Sequence, residues 1–223
     1  VTGVQTCALP ISVRSEVLKP GIVSKVWAIP DQRDPGTPVK NILSGSMCII
    51  NYMDQQYLNN YFATQWNSKI DQYQYSGWEL VRKIRLGESV LDVGCGTNPF
   101  REKIANLTGI DPAFDQADFK CTIEEFRSNI QFNVAFCLGS INFGPESTIL
   151  HQIQCVINHL TPHARIYWRC NPGRQDHGNE HCKNIDFFAW TPELLTQYAT
   201  QFGFRVADLQ ADSNNRIYCE WVR

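Results

Sequence analysis

An α/β fold, a doubly wound sheet with helices on both faces, is what this chain predicts, on three observations. Short apolar runs of strand length alternate with segments of helical periodicity from residue 53 to the end. One run, Ser89–Val93, ends in Gly94-Cys95-Gly96, a turn that lets the backbone pass close to a ligand with no side chain between. The chain closes on two further runs, Phe204–Leu209 and Arg216–Val222. The turn residues Asp212–Asn215 lie between them and predict a hairpin.

The elements follow in order. Met53 opens MDQQYLNNYFATQW, which reads as helix. Ser76-Gly77-Trp78-Glu79 has the capping-box pattern S-x-x-E and predicts a helix through about Ile84, stopped near Gly87. Strand one is Ser89–Val93, followed by a short helix through about Ala105, and strand two is Leu107–Ile110. A weak third strand is expected around Phe119–Thr122, with a helical turn at Glu124–Ser128 after it. Strand four is Phe132–Leu138. Pro145 and Glu146 suit the first turn of the next helix. Its apolar face is Ile149, Leu150, Ile153, Val156, Ile157 and Leu160. Strand five is Ala164–Cys170. Thr191-Pro192-Glu193 starts a last helix that stops at Gly203.

With 223 residues, 43% hydrophobic and 19% charged, the chain is long enough for one globular domain. No apolar run is long enough to span a bilayer, so no membrane partner is expected. The net charge of −2 and the absence of a Lys/Arg stripe argue against a nucleic-acid partner. Nine cysteines occur without a C-x-x-C pair. Cys137, Cys170 and Cys219 sit in strand-like runs, which predicts buried free thiols and a cytoplasmic protein.

The chemistry concentrates in SVLDVGCGTNPF, residues 89–100. Nineteen residues past Asp92, the short run Leu107–Ile110 ends in Asp111-Pro112. An acid about 20 residues beyond a glycine turn suits the two hydroxyls of a ribose. A dinucleotide site wants G-x-G-x-x-G, and here Pro99 occupies the third glycine's place, against NAD or FAD.

The segment resembles motif I of the class I S-adenosylmethionine-dependent methyltransferases, in the variant D-x-G-C-G-x-N-P. Asn98 stands where that family usually has a further glycine, and asparagine tolerates the left-handed conformation. Gly109-Ile110-Asp111-Pro112, Phe132–Gly144 and Ala164–Gly173 resemble the family's later strands, so the likeness runs from about Ser76 to Arg223. The resemblance implies a Rossmann-like sheet of seven strands in order 3-2-1-4-5-7-6, ending in the antiparallel hairpin. It implies S-adenosyl-L-methionine as cofactor, met by Asp92, Gly94, Cys95, Gly96, Asp111, Pro112, Thr122, Ile123, Leu138 and Gly139. Thr122 and Ile123 would lie at the adenine.

The loops after strands four and five would face the methyl acceptor. Ser140 and Asn142 are suited to orient it, Arg169 and Asn171 to bind a polar or anionic group, and Asp176, His177 or His181 to act as base. The candidate catalytic residues are His177, Asn142 and Tyr167. The long connection before Trp190 suits a substrate lid. His177, His181, Cys182 and Cys170 are a rival zinc set, but no C-x-x-C anchors it and the expectation is no metal.

The implied activity is methyl transfer to an acceptor that the sequence does not identify, more in keeping with a small molecule than with nucleic acid. Three alternatives stand beside it: a non-catalytic cofactor-binding scaffold of the same fold, a nucleic-acid methyltransferase, and a nicotinamide oxidoreductase.

Val1–Ile11, VTGVQTCALPI, resembles the in-frame translation of a sequencing adapter, which predicts an assembly scar on a metagenomic contig rather than protein. Residues 12–52 carry Pro20, Pro30, Pro35 and Pro38 around one strand-like run, Gly21–Ile29. They read either as an N-terminal extension or as upstream sequence translated in frame. Residues 53–223 are then a single domain with Met53 a candidate start.

Overall fold

A computed structural model divides the chain into two units, Val1–Cys48 and Ile49–Arg223. It describes residues 55–66, 70, 73–172, 182, 184–213 and 215–223, all in the second unit. The expected divisions at residues 11 and 52 lie outside the described residues.

Ten elements make up the described part: α1 (Gln55–Thr64), α2 (Glu79–Lys83), β1 (Val90–Val93), β2 (Leu107–Ile110), β3 (Phe132–Leu138), α3 (Glu146–Asn158), β4 (Leu160–Cys170), α4 (Pro192–Gln201), β5 (Arg205–Ala211) and β6 (Ile217–Val222). The six strands form one sheet in the order β2-β1-β3-β4-β6-β5. β1 pairs in parallel with β2 and β3, and β3 with β4. The antiparallel hairpin β5–β6 docks on β4 through β6. This is the expected strand order with its outermost third strand missing.

Side chains alternate across the sheet and build a core on each face. Leu91 and Val93 of β1, Ile166 and Trp168 of β4 and Cys219 and Trp221 of β6 meet Ile149 and Ile153 of α3 and Leu195 and Tyr198 of α4. On the other face Val90, Val134, Phe136, Tyr167 and Tyr218 pack with Leu80 of α2 and with Phe100 and Ile104. Lys83 at the end of α2 donates to Tyr218 Oη at 2.9 Å and pairs with Glu220 at 3.1 Å, fixing that helix to the antiparallel half of the sheet.

Four expectations need correction. The Ser76 capping box does not form. Ser76 Oγ is buried without a hydrogen-bond partner among the described residues, and Trp78 precedes the five-residue α2 with no side-chain cap. The segment folds instead as a tight turn: a Cβ on Gly77 would stand 2.5 Å from the Tyr73 carbonyl oxygen. No helix follows β1. Asn98 takes φ +55°, Pro99 has no N–H to give, and residues 98–104 run as linked turns. The third strand shrinks to a single bridge, Ile110 with Phe119. Leu160 opens β4 rather than closing α3, because α3 ends at Asn158.

The Thr191 start behaves as read: its side chain accepts from the Leu194 N–H at 3.2 Å, and Pro192 follows.

Candidate functional site

The loops at the carboxyl ends of β1, β2, β3 and β4 surround a cavity of about 610 Å³. That is where an open α/β sheet takes ligands, and the volume lies in the usual range for a small-molecule site, about 300–1,000 Å³.

Gly94 and Gly96 do different work. Gly94 has φ +72°, and a Cβ on it would lie 2.3 Å from Ser140 Cβ, so the loops after β1 and β3 touch only because Gly94 is bare. Gly96 also has a left-handed φ, +57°, but a Cβ there would meet nothing nearer than Trp66 at 3.7 Å. The Gly96 backbone is therefore uncrowded, with only the Trp66 and Phe114 rings at ordinary contact distance, and is fit for close approach by a ligand.

Asp111 ties the second acid to the first turn. Its Oδ2 accepts from the Gly96 N–H at 2.9 Å, and its Oδ1 accepts from Ala113 at 2.8 Å and Phe114 at 3.2 Å. A carboxylate has about four lone-pair sites, so three donors leave room for one more. Burial pushes the Asp111 carboxyl up, and the three N–H groups pull it back. Asp92, inside β1, is 3% exposed and does not reach the cavity wall. Burial and then the charge of Asp111 raise its carboxyl to about 7.

A clamp that the sequence reading missed holds this end of the site. Asp118 Oδ2 accepts from the Gly109 N–H at 2.8 Å and from Asn98 Nδ2 at 3.3 Å, while Oδ1 pairs with Arg101 at 3.0 Å. Asn98 from the first turn is thereby joined to β2. Gly109 makes the fit possible, because a Cβ there would stand 2.9 Å from both Asn98 and the Cys95 sulfur.

Of the residues expected at the cofactor, Gly94, Gly96, Asp111, Pro112, Thr122, Ile123, Leu138 and Gly139 line the cavity together. Asp92 and Cys95 are buried behind it. Of the candidate catalytic residues, Asn142 lines the cavity. Its Oδ1 accepts from the Asn171 N–H at 3.2 Å and joins the loops after β3 and β4.

Tyr167 is not at the cavity. It is fully buried on the Phe136 side of the sheet, two residues deeper along β4 than Arg169 and on the same face, and burial raises its phenol. His177, with Asp176 and His181, lies outside the described residues. Of the rival zinc set, Cys170 is enclosed in the core and Cys182 donates to Tyr61 Oη at 3.0 Å.

The rest of the wall comes from residues the sequence reading did not single out. Tyr61, Phe62 and Trp66 come from α1 and the turn after it, and Tyr73, Phe114 and Phe143 from loops. Phe62 packs edge-on against Trp66 and Phe143, with ring centroids 5.7 and 5.4 Å apart. The spacing Tyr57, Tyr61, Phe62, Trp66 was the available signal: an aromatic face on one helix. Arg216, just ahead of β6, also lines the cavity, and nothing in its sequence surroundings marks it.

No protein-family model matches the chain, and no curated protein does. Solved structures match it in fold. Magnesium protoporphyrin IX methyltransferase (ChlM) from Synechocystis PCC 6803 with bound SAM is 14% identical; the match covers 76% of this chain and 97% of that one, with a TM-score of 0.55. The same enzyme with bound SAH gives 13% identity, 76% and 100% coverage and a TM-score of 0.55. A DhpI–SAM–HEP complex is 12% identical over 77% of this chain and 98% of that one, with a TM-score of 0.53. At such identities the likeness is one of fold: an α/β, Rossmann-like architecture.

Proposed function

We propose that the chain is an S-adenosylmethionine-dependent methyltransferase acting on a small molecule. The observation that carries the reading is the bond from the Gly96 N–H to Asp111 Oδ2, 2.9 Å long, in the wall of the cavity. It brings the glycine turn and the ribose-type acid, fifteen residues apart, to one place. The matching fold of methyltransferases solved with SAM or SAH supports it.

The described residues fit such a cofactor. Gly96 and Gly139 are uncrowded, the nearest atoms to a Cβ on either standing at ordinary contact distance, 3.7 and 3.8 Å. Asp111 would accept from the ribose hydroxyls, in competition with or beside its present backbone donors. Thr122 and Ile123 would bracket the adenine, and Leu138 and Gly139 would offer backbone contacts. When bound, the cofactor supplies an activated methyl group on a sulfonium.

The protein's part is then positional. Asn142 fixes the loop after β3 against Asn171, and the aromatic wall from Tyr61 to Phe143 keeps water away from the reacting atoms. A general base is needed only where the acceptor must lose a proton; the expected candidates Asp176, His177 and His181 lie outside the described residues, and the carboxylates in the described wall are Asp111 and Glu124.

Isothermal titration of the full chain with S-adenosylhomocysteine tests this. The expected result is 1:1 binding, weakened tenfold or more by Asp111→Ala. A folded wild-type protein that gives no binding heat and no thermal shift with this ligand would refute the proposal.

A further inference from the structure

The cavity is electrically divided. At the end nearest β2 its charged wall residues are acids, Asp111 and Glu124. At the other end they are Arg169, on β4, and Arg216, one residue ahead of β6. Adjacent strands are roughly 4.8 Å apart. Because β1, β3, β4 and β6 are neighbours in that order, the arginines lie roughly 10–14 Å across the sheet from the glycine turn.

Arg169 is held, yet not used up. Its side chain is 11% exposed. Nε donates to Asp212 Oδ2 at 3.3 Å, and the guanidinium lies 3.5 Å from the centre of the Tyr73 ring. Among the described residues those are its only partners, so the two terminal nitrogens, which form the fork that grips an oxyanion, make no hydrogen bond there. Asp212 itself is enclosed, and its Oδ1 accepts from the Arg216 backbone N–H at 2.9 Å. One buried carboxylate outside the cavity wall thus sets the position of both arginines. Burial, and then the neighbouring Arg169 charge, lower the pKa of the Arg216 guanidinium, against a partial offset from Asp212 and Tyr73. An anion between the two would relieve that repulsion. Tyr73, against the Arg169 guanidinium, and Phe143 elsewhere in the same wall give the cavity flat apolar surface.

We propose that Arg169, with Arg216 beside it, binds an oxyanion on the methyl acceptor, so that the acceptor is an organic carboxylate or phosphate with a flat or apolar body. The inference rests on the methyltransferase reading for the word acceptor; the anion site itself does not need it.

The test uses the full chain and three probes of similar shape: benzoate, phenyl phosphate and neutral benzamide. Each is titrated calorimetrically with and without saturating S-adenosylhomocysteine. At least one anion is expected to bind tenfold or more tighter than benzamide, and to weaken as salt is added. The stronger of the two anions identifies carboxylate or phosphate as the group read. Arg169→Gln should remove the tenfold preference, leave benzamide unchanged and leave the S-adenosylhomocysteine affinity within twofold. That last value also shows that the variant is folded. Arg216→Lys, which keeps the charge, should retain more of the preference than Arg216→Gln.

Equal affinity for all three probes, or no binding by any of them at 10 mM, overturns the proposal. So does an Arg169→Gln variant with the preference intact. A parallel loss of S-adenosylhomocysteine affinity in an Arg169→Gln variant that keeps the wild-type circular dichroism spectrum and cooperative unfolding also overturns it, because the pair would then hold the cofactor's own carboxylate. Anion binding through Arg169 in a protein that ignores S-adenosylhomocysteine would sink the methyltransferase reading and leave the anion site standing.

Discussion

Gly94 and Gly96 share a motif, a left-handed φ and one turn, yet they should fail in different ways. Alanine at 94 would put its Cβ 2.3 Å from Ser140 Cβ at φ +72°. Left-handed strain of about 1–2 kcal/mol and overpacking of about 1–3 kcal/mol make Gly94→Ala cost roughly 2–5 kcal/mol, read from urea unfolding. Alanine at 96 would meet only ordinary van der Waals contact, nearest Trp66 at 3.7 Å, so Gly96→Ala should cost only the left-handed strain, about 1–2 kcal/mol, while weakening S-adenosylhomocysteine tenfold or more. Equal stability losses in the two variants would contradict the division of labour. Asp92 makes a third residue-scale prediction. Its folded pKa, about 7, lies above the unfolded 3.8, so the native state holds a proton that the unfolded chain has released. Stability contributed by that proton is complete below about pH 4 and falls as pH rises to about 7. Between pH 5 and pH 8 the loss should be about 2–3 kcal/mol. Asp92→Asn should flatten the slope by that amount in denaturation series at the two pH values, and an unchanged slope would mean the carboxyl is ionised throughout.

At the scale of elements, an irregular segment carries the order that a helix and a strand were expected to supply. Between β1 and the start of β3 the chain has only β2, a set of turns and the Asp118 clamp. Asp118→Ala removes acceptors from the Gly109 N–H, Asn98 and Arg101 at once. With about 1.5–3 kcal/mol for a hydrogen bond to a charged group, a loss of about 2–3 kcal/mol is expected in urea unfolding. Asp118→Asn should recover part of it through the Gly109 bond. A loss under 0.5 kcal/mol for the alanine variant would mean the clamp is ornamental. This region also marks what the sequence could reveal. β1, β3, β6 and the second half of β4 were legible because their apolar runs are largely buried on both faces and leave no competing period, whereas the more exposed β5 was legible through the turn residues that join it to β6. The third strand was not, because a lone bridge at Phe119 has no periodicity, and Asp118 looks like any loop acid until its partners, nine and twenty residues away, are known. The absence of a helix after β1 is not legible because Asn98 and Pro99 suit a ligand turn and a helix entry alike in sequence, and only the left-handed φ of Asn98 in the fold breaks the entry. The site divides in the same way. Gly96 and Asp111 were readable from spacing along the chain, whereas Arg169 meets Asp212 across 43 residues and Arg216 enters only through the fold.

The whole described unit should unfold as one body, because its reporters share one core. Trp168, Trp190 and Trp221 are buried together with Cys170 and Cys219, and the Trp168 and Trp221 rings are 4.7 Å apart. None of the described cysteines is in a disulfide. The fluorescence change of these three buried tryptophans and the labelling of Cys170 and Cys219 by a disulfide reagent should therefore trace the same denaturant curve, since neither group can be exposed without opening the other's surroundings. Cys121 and Cys155 are the two partly buried thiols among the described cysteines, and Cys121 reports on the site. It is only partly buried, it lines the cavity beside Thr122 and Ile123, and it should react in the native state. Ligand binding links the two scales. If the cavity takes S-adenosylhomocysteine, a concentration one hundred times Kd adds about 2.7 kcal/mol to the folded state. At about 2–4 °C per kcal/mol for a domain of this size, Tm should rise by roughly 5–10 °C. The same ligand should slow labelling of Cys121 by covering it, and should delay labelling of Cys170 and Cys219 only in step with Tm. NADH should do neither, because Pro99 stands where the pyrophosphate site needs a glycine. Protection of Cys121 with no rise in Tm, or a rise with no protection, would separate the ligand from the cavity and undo the link between glycine turn, acid and fold.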